Sequence, residues 1–186
     1  MADEHIAYQG KIIEVVEYGV EVKPGVTKTF EKARRAPGTR LIIPTEKGIL
    51  LTKEFRHELN GYDYRLPGGK VFDELSEYNE FLASGGDILV PSTAKAKAEA
   101  KEEAGLDVEE LHHYHTSYCG ATVQWDLYYF ILETYAQSGQ ELEEGEDIEL
   151  NEVAYEEAKA MCLDGRVSEE RSALVLLRFI EEMGKK

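Results

Sequence analysis

The chain has 186 residues, enough for one domain with a sizeable core. It carries 37 acidic against 21 basic side chains, a formal net charge of −16, which excludes nucleic acid and anionic membrane as main partners. Two cysteines, Cys119 and Cys162, cannot form a disulfide framework and indicate a reducing, cytoplasmic location. The first residues show no signal region, and no apolar run approaches membrane-spanning length. An anionic substrate would have to be met by local positive charge or by a metal ion.

The first third of the chain is rich in β-forming residues. Residues 11–22 predict one or two strands followed by a Pro-Gly turn, and residues 28–34 predict a further short strand. Two short apolar runs, residues 41–43 and 48–51, are separated by polar residues and predict a hairpin. A Tyr-rich turn at residues 61–65 then leads into a glycine turn.

Residues 72–90 lie between that glycine turn and a carboxylate-bearing helix. Glutamates and apolar residues alternate in the first part, which predicts a short helix that Gly85-Gly86 ends. A segment in this place is well positioned to act as a lid or specificity loop. An inert surface elaboration is the alternative.

Residues 92–106 are rich in Ala, Lys and Glu and predict a helix. Ser92 or Thr93 would cap its start, and Gly105 would close its end in a left-handed turn.

Three carboxylates, Glu99, Glu102 and Glu103, stand at i, i+3 and i+4 and so project from one face of this helix. Like charges one turn apart, near the helix C-terminus, are unfavourable by about 0.3–1 kcal/mol each and invite a compensating cation. Oxygen-only clusters suit Mg²⁺ or Mn²⁺. A solvated surface face is the alternative interpretation.

The remaining elements alternate between strands and helices. Residues 108–117 and 123–135 predict strands, residues 137–149 an acidic loop, Val153 a last strand, and residues 155–163 a short helix. A final helix begins at a Ser168 cap and carries a predicted core stripe, made by Ala173, Leu174, Leu177 and Ile180. This order predicts an α/β fold with a mixed sheet covered by helices.

Two segments together resemble the Nudix hydrolase family. The glycine turn is Leu66-Pro67-Gly68-Gly69-Lys70, and the run from Ala98 to Leu106 matches the second half of the family box, R-E-U-x-E-E-x-G-U with U apolar, except at its first residue. Ala98 replaces the box arginine, for which Lys95, Lys97 or Lys101 would have to substitute. Gly69 and Glu99 are 30 positions apart, about twice the family spacing, so residues 72–90 stand as an insertion.

The resemblance is greatest to the ADP-ribose pyrophosphatase and nucleoside diphosphate sugar hydrolase branch. Its features here are the strand-rich N-terminus, the run Lys53-Glu54-Phe55-Arg56, the acidic loop, and the closing segment from residue 164. The resemblance implies a single domain over residues 1–186, a Nudix-type α/β/α sandwich with a mixed sheet plus N-terminal antiparallel strands. Residues 1–38 would form an N-terminal segment that crosses between the subunits of a homodimer.

The same resemblance implies a metal-dependent chemistry. Glu99, Glu102 and Glu103, with the Gly68 carbonyl, would bind Mg²⁺ or Mn²⁺, and Gly69 would let the substrate approach the backbone. The substrate would be a small molecule linked to a nucleoside diphosphate.

Further roles come from matching positions to the family. Besides Glu103, the acidic loop would supply a catalytic base, Glu144 first and Glu146 second. Arg56 would contact the diphosphate, with a surface ion pair as the alternative. Tyr62 or Tyr64 would stack on a base, with core packing as the alternative for both.

Three hypotheses follow. The first is hydrolysis of the diphosphate bond of ADP-ribose or a nucleotide sugar. The second, motivated by Ala98 and the interrupted box, is a weakened or inactive module that binds a nucleotide or a protein partner. The third, an unrelated α/β protein, is disfavoured because several segments match in the right order. The group attached to the diphosphate is not specified by these motifs.

Overall fold

The computed structural model describes residues 4–185 of the chain. The strands in this part are β1 (Glu4–Gln9), β2 (Glu14–Lys23), β3 (Val26–Arg34), β4 (Gly38–Ile42), β5 (Ile49–Arg56), β6 (Gly61–Arg65), β7 (Leu106–Ser117), β8 (Val123–Gln124), β9 (Leu127–Gln137) and β10 (Ile148–Val153). The helices are α1 (Leu75–Ser84), α2 (Leu89–Glu102), α3 (Tyr155–Asp164) and α4 (Glu170–Met183). No helix within residues 4–185 is long and apolar enough to cross a membrane.

The N-terminal strands form a sheet of their own, in the order β1-β2-β3-β8. Strands β1 to β3 are antiparallel, and β8 pairs with the end of β3 in parallel. The turn between β2 and β3 contains Gly25 at φ +76°, a left-handed conformation that glycine adopts without steric cost. The predicted strands and the Pro-Gly turn are confirmed, and β1 is an additional strand.

Two three-stranded sheets make up the central layer, in the orders β10-β5-β6 and β4-β9-β7. The predicted hairpin over residues 41–51 is correct only at its turn, where the Thr45 N–H donates to the Gly48 carbonyl over 2.9 Å. Beyond the bridge between Pro44 and Ile49 the strands diverge, since β4 pairs with β9 and β5 pairs with β10 and β6. Long-range pairing therefore overrides the local pattern.

Alternate side chains of the central strands pack on opposite faces. On β4, Leu41 is buried with the alanines of α2, whereas Ile42 is buried with α3 and α4. On β9, Phe130 and Tyr129 divide in the same way. Strands buried on both faces between helices form an α/β/α sandwich, which confirms the expected fold class.

The carboxylate helix begins one turn earlier than predicted, at Leu89. The N-cap residue is Ile88, which makes no side-chain cap, so the cap expected from Ser92 or Thr93 is wrong. The Leu89 N–H donates instead to an Asp87 carboxylate oxygen over 3.0 Å. Ser92 instead lies inside the helix and is fully buried. The predicted end is confirmed, because Gly105 has φ +63°.

Helix α4 also differs from its predicted start and face. The residue that precedes it is Glu169, not Ser168, and the Ser172 hydroxyl donates to the Glu169 carboxylate over 2.5 Å. Leu174, which was expected in the core, is 50% exposed, whereas Leu176 is fully buried. Residues 175, 176 and 179 also contact the core. The apolar stripe is therefore rotated about the helix axis relative to the predicted one.

The predicted helix in residues 72–90 is confirmed as α1, and Gly85 ends it at φ +67°. Leu75 and Tyr78 of α1 are buried against Ala36 at the end of the N-terminal segment. A second connection is polar, since the Asn79 amide donates to the Glu14 carboxylate over 3.0 Å. The segment of residues 72–90 therefore packs on the N-terminal strands.

Candidate active site

The glycine turn is held against β4 by backbone hydrogen bonds. The Thr39 N–H donates to the Gly69 carbonyl and the Leu41 N–H donates to the Pro67 carbonyl, each over 2.8 Å. Gly68 has φ +144°, and a Cβ there would lie 2.2 Å from the Thr39 carbonyl oxygen. Only glycine fits this position, so the turn is fixed in place beside α2.

This turn contacts two of the three carboxylates directly. The Gly68 N–H donates to Glu103 Oε2 over 2.7 Å. A Cβ on Gly69 would lie 2.0 Å from Glu99 Oε1. The missing side chain of Gly69 thus makes room for the Glu99 carboxylate, and the two predicted halves of the site come together.

Burial makes these carboxylates hard to ionise. The pKa of Glu103 is raised from 4.5 to about 8, chiefly by burial, although the Gly68 N–H opposes the shift and the charge of Glu99 adds to it. Burial also raises the pKa of Glu99, which is only 7% exposed, against the opposing effect of Lys95. Such costly groups are typical of functional sites, and a bound cation would favour their ionised forms.

Lys95 is the cation that occupies this neighbourhood. Its Nζ lies 3.1 Å from Glu99 Oε1 and 3.6 Å from Glu102 Oε2. The other two candidates point elsewhere, because Lys97 donates to a backbone carbonyl of β7 and Lys101 pairs with a carboxylate in the loop after β9.

A cleft of about 590 Å³ opens in front of the carboxylates and the glycine turn. Its wall includes all three predicted metal-binding glutamates together with both glycines. It also contains four basic side chains, Lys11, Arg56, Lys70 and Lys95. The wall also carries seven carboxylates, so an anionic ligand would need a bound cation in addition to these four basic groups. Lys11 and Lys70 were not predicted, since no spacing rule links them to the helix.

The acidic loop reaches the cleft through Glu143 and Glu146, whereas the exposed Glu144 is not among the residues of the cleft wall. The charge of Glu146 contributes to the raised pKa values of Glu99 and Glu103, which shows its proximity to them. The Glu143 N–H donates to Glu146 Oε2 over 3.0 Å and so orients that carboxylate.

The remaining predicted contacts divide between cleft, surface and core. Arg56 lines the cleft and pairs with Glu54 over 2.7 Å. Tyr62 is 66% exposed, packs edge-on against Phe55, and lies outside the cleft wall. Tyr64 packs against the main core, in agreement with the alternative interpretation.

A buried ion pair that was not predicted from the sequence lies behind the glycine turn. Arg40 Nε and Nη2 donate to the two Glu169 carboxylate oxygens over 2.9 and 3.2 Å. The Arg40 charge also acts on Glu103, in the direction that favours the ionised carboxylate. The two residues are 129 positions apart, and no local signal links them.

The candidate metal ligands suit a cation that prefers oxygen, because they are carboxylates. A bound cation would also offset the repulsion between their negative charges. Within residues 4–185, no three carboxylate, imidazole or thiol groups already converge on a single ion position. Lys95 lies between Glu99 and Glu102 instead.

Comparison with known proteins identifies the fold. No protein-family model matches the chain, and no curated protein matches it in sequence. Among solved structures, one described as an ADP compounds hydrolase superposes with a TM-score of 0.70. That alignment covers 99% of this chain and 95% of the other, at 16% identity. This similarity, together with the sandwich described above, supports a Nudix-like α/β fold.

Proposed function

We propose that the protein hydrolyses the diphosphate bond of nucleoside diphosphate derivatives, with ADP-ribose or a nucleotide sugar as substrate. The observation that carries the proposal is the cleft in which three glutamates of one helix meet a fixed glycine turn and four basic side chains. The structural similarity to a protein described as an ADP compounds hydrolase supports the same reaction class.

In this proposal Glu99, Glu102 and Glu103 hold Mg²⁺ or Mn²⁺, with the Gly68 carbonyl as a further ligand. Such an ion would neutralise the diphosphate and polarise its phosphorus atoms. The raised pKa values of Glu99 and Glu103 support the assignment, because retaining buried carboxylates without a cation is costly.

The chain's own residues supply the remaining functions. Arg56 and Lys70, on the cleft wall, would bind the diphosphate oxygens, and the guanidinium fork of Arg56 suits two oxygens at once. Glu146 is favoured over Glu144 as the base that orients water, because Glu146 lines the cleft. Gly69 leaves the approach to Glu99 open.

The test is product release from a panel of nucleoside diphosphate derivatives, with Mg²⁺, with Mn²⁺ and with EDTA. Metal-dependent turnover of one substrate class by the wild type, lost in Glu103→Gln, is the expected result. Glu141→Gln, the same change at an exposed residue outside this cleft, serves as the control and should retain activity.

The second candidate function is a module that binds nucleotides without hydrolysing them, and Ala98 is the observation that favours it. In that case no member of the panel would be turned over. A nucleotide would nevertheless raise the thermal stability of the protein, since a ligand that binds only the folded state stabilises it.

We also propose that the N-terminal strands contact a second copy of the chain. Large apolar side chains of these strands are exposed in the single chain, namely Ile6, Tyr8, Val20, Val22, Val26 and Phe30. Light scattering should give twice the chain mass of 21.0 kDa, and Val20→Lys with Phe30→Lys should give the single-chain mass. A wild type of single-chain mass would contradict this assembly.

A further inference from the structure

A surface hollow of about 360 Å³ lies beside Ala98, on the flank of α2. Of the three site glutamates only Glu102 lines this hollow, together with Asp107 and Glu141. An arginine at position 98 would have room here and would be one helical turn from Glu102. Lys97 and Lys101 also line the hollow, but Lys97 donates to a backbone carbonyl of β7 and Lys101 pairs with Glu141, so neither is paired with a site glutamate.

The cation that contacts the site glutamates lies one turn earlier on the neighbouring, cleft-facing part of the helix surface. Lys95 lines the cleft, is 24% exposed, and contacts both Glu99 and Glu102. We propose that Lys95 is the positioning residue of this site and replaces, from the cleft side, an arginine at position 98. The inference rests on the proposed metal-dependent function.

The chemistry of lysine suits this arrangement. Its ammonium is a compact charge with three donors on a flexible stem, so it can serve two carboxylates without the planar geometry that an arginine fork requires. Held between Glu99 and Glu102, the ammonium offsets their mutual repulsion and keeps both side chains turned toward the cleft. Glu103 does not need it, because the Gly68 N–H orients that carboxylate.

The opposite role would be competition, in which Lys95 occupies the oxygens that a metal needs. The two roles differ in the sign of one measurement. If Lys95 positions the carboxylates, its removal weakens cation binding. If Lys95 competes, its removal strengthens cation binding.

The measurement is titration of the EDTA-treated, dialysed protein with Mn²⁺, without substrate, following free Mn²⁺ by electron paramagnetic resonance. Lys95→Met should weaken binding by about 10–100-fold, as loss of a residue that orients ligands does. Lys95→Arg should stay close to wild type. Lys97→Met, on the same helix but bonded to a carbonyl of β7, is the matched control and should bind normally. Unchanged or tighter binding in Lys95→Met would overturn the proposal.

The second arm is rescue. In the double variant Lys95→Met/Ala98→Arg, the new guanidinium would lie in the hollow beside Glu102 and should restore most of the lost Mn²⁺ affinity. A merely structural role of Lys95 would not be restored by a guanidinium placed in the hollow, so a double variant no better than Lys95→Met refutes positioning. A wild type that binds Mn²⁺ but hydrolyses nothing refutes the proposed function alone, whereas a wild type that binds no Mn²⁺ refutes both.

Discussion

Replacing Glu103 with glutamine should stabilise the protein when no metal is present. Glu103 is a carboxylate whose ionisation burial opposes, and it accepts a hydrogen bond from the Gly68 N–H. The glutamine carbonyl can accept the same hydrogen bond without carrying a charge. Glu103→Gln therefore removes the cost of protonating the buried carboxyl on folding while preserving the contact with the glycine turn.

The size of the effect follows from the pKa. In the folded protein the Glu103 pKa is about 8, against 4.5 for the unperturbed group. Between these values the folded state binds more protons than the unfolded state, so stability is full below pH 4.5 and is lost as the pH rises towards 8. At pH 7 the loss is about 3 kcal/mol, an upper figure because the cleft admits solvent. That corresponds to about 6–12 °C in Tm.

The assay is thermal unfolding with EDTA between pH 5 and pH 9, for the wild type, Glu103→Gln and Glu141→Gln. The Glu103→Gln curve should lie close to the wild type at pH 5 and above it by up to about 10 °C at pH 7. Glu141→Gln, changed at an exposed site, should track the wild type within about 0.5 kcal/mol. A constant difference between Glu103→Gln and wild type across this range would refute the reasoning, because it would show that Glu103 does not titrate there.

Magnesium should reverse the order of the two proteins. A ligand at a thousand times its Kd stabilises the folded state by about 4.1 kcal/mol, more than the loss of about 3 kcal/mol at pH 7, and this gain should appear in the wild type and be largely lost in Glu103→Gln. If both proteins gained equally, Glu103 would not be a metal ligand. Thermal unfolding with and without Mg²⁺ thus separates the cost of the Glu103 carboxylate to stability from its contribution to metal binding.

Three further predictions concern the glycine turn, a buried ion pair and the acidic loop. Gly69→Ala should leave the protein folded but weaken Mn²⁺ binding at least tenfold by titration, because its Cβ would displace a flexible carboxylate whose oxygen lies 2.0 Å away. Arg34→Met should cost about 3–5 kcal/mol in urea unfolding, since it leaves the fully buried Glu14 without its charged partner, and a loss below about 1 kcal/mol would contradict this. Glu146→Gln should lower kcat at least tenfold more than Glu144→Gln at similar KM, and equal losses would refute the choice of base.

The predictable parts of the site are those whose geometry is local. Three glutamates at i, i+3 and i+4 must share a helix face whatever the remainder of the chain does. Gly68-Gly69 was recognised as a turn from its composition, and its contact with α2 agrees with the resemblance. The alternation along β4 and β9 likewise follows from the strand repeat, so the layered fold could be predicted.

The parts that could not be predicted depend on long-range contacts. Nothing near Arg40 in the sequence indicates its pairing with Glu169, because the pair forms only when α4 packs behind the glycine turn. Two strands that look like a hairpin separate because β9 and β10 provide better partners. Leu174 lies on the exposed side of α4. The rotation of α4 about its axis is set by packing against α3 and the sheet more than by the apolar repeat of the helix.

Residues 72–90 are connected to the proposed role of Lys95. They supply Asp73, whose charge acts on Lys95, and Asp87, whose carboxylate accepts the Leu89 N–H at the start of the helix that carries Lys95. They also let α2 begin at Leu89, so that Lys95 lies well inside the helix, one turn before Glu99. A lysine at a frayed helix end would not be held at both carboxylates, because the first turn lacks internal hydrogen bonds. Residues 72–90 therefore stabilise the start of the helix on which the proposed positioning lysine depends.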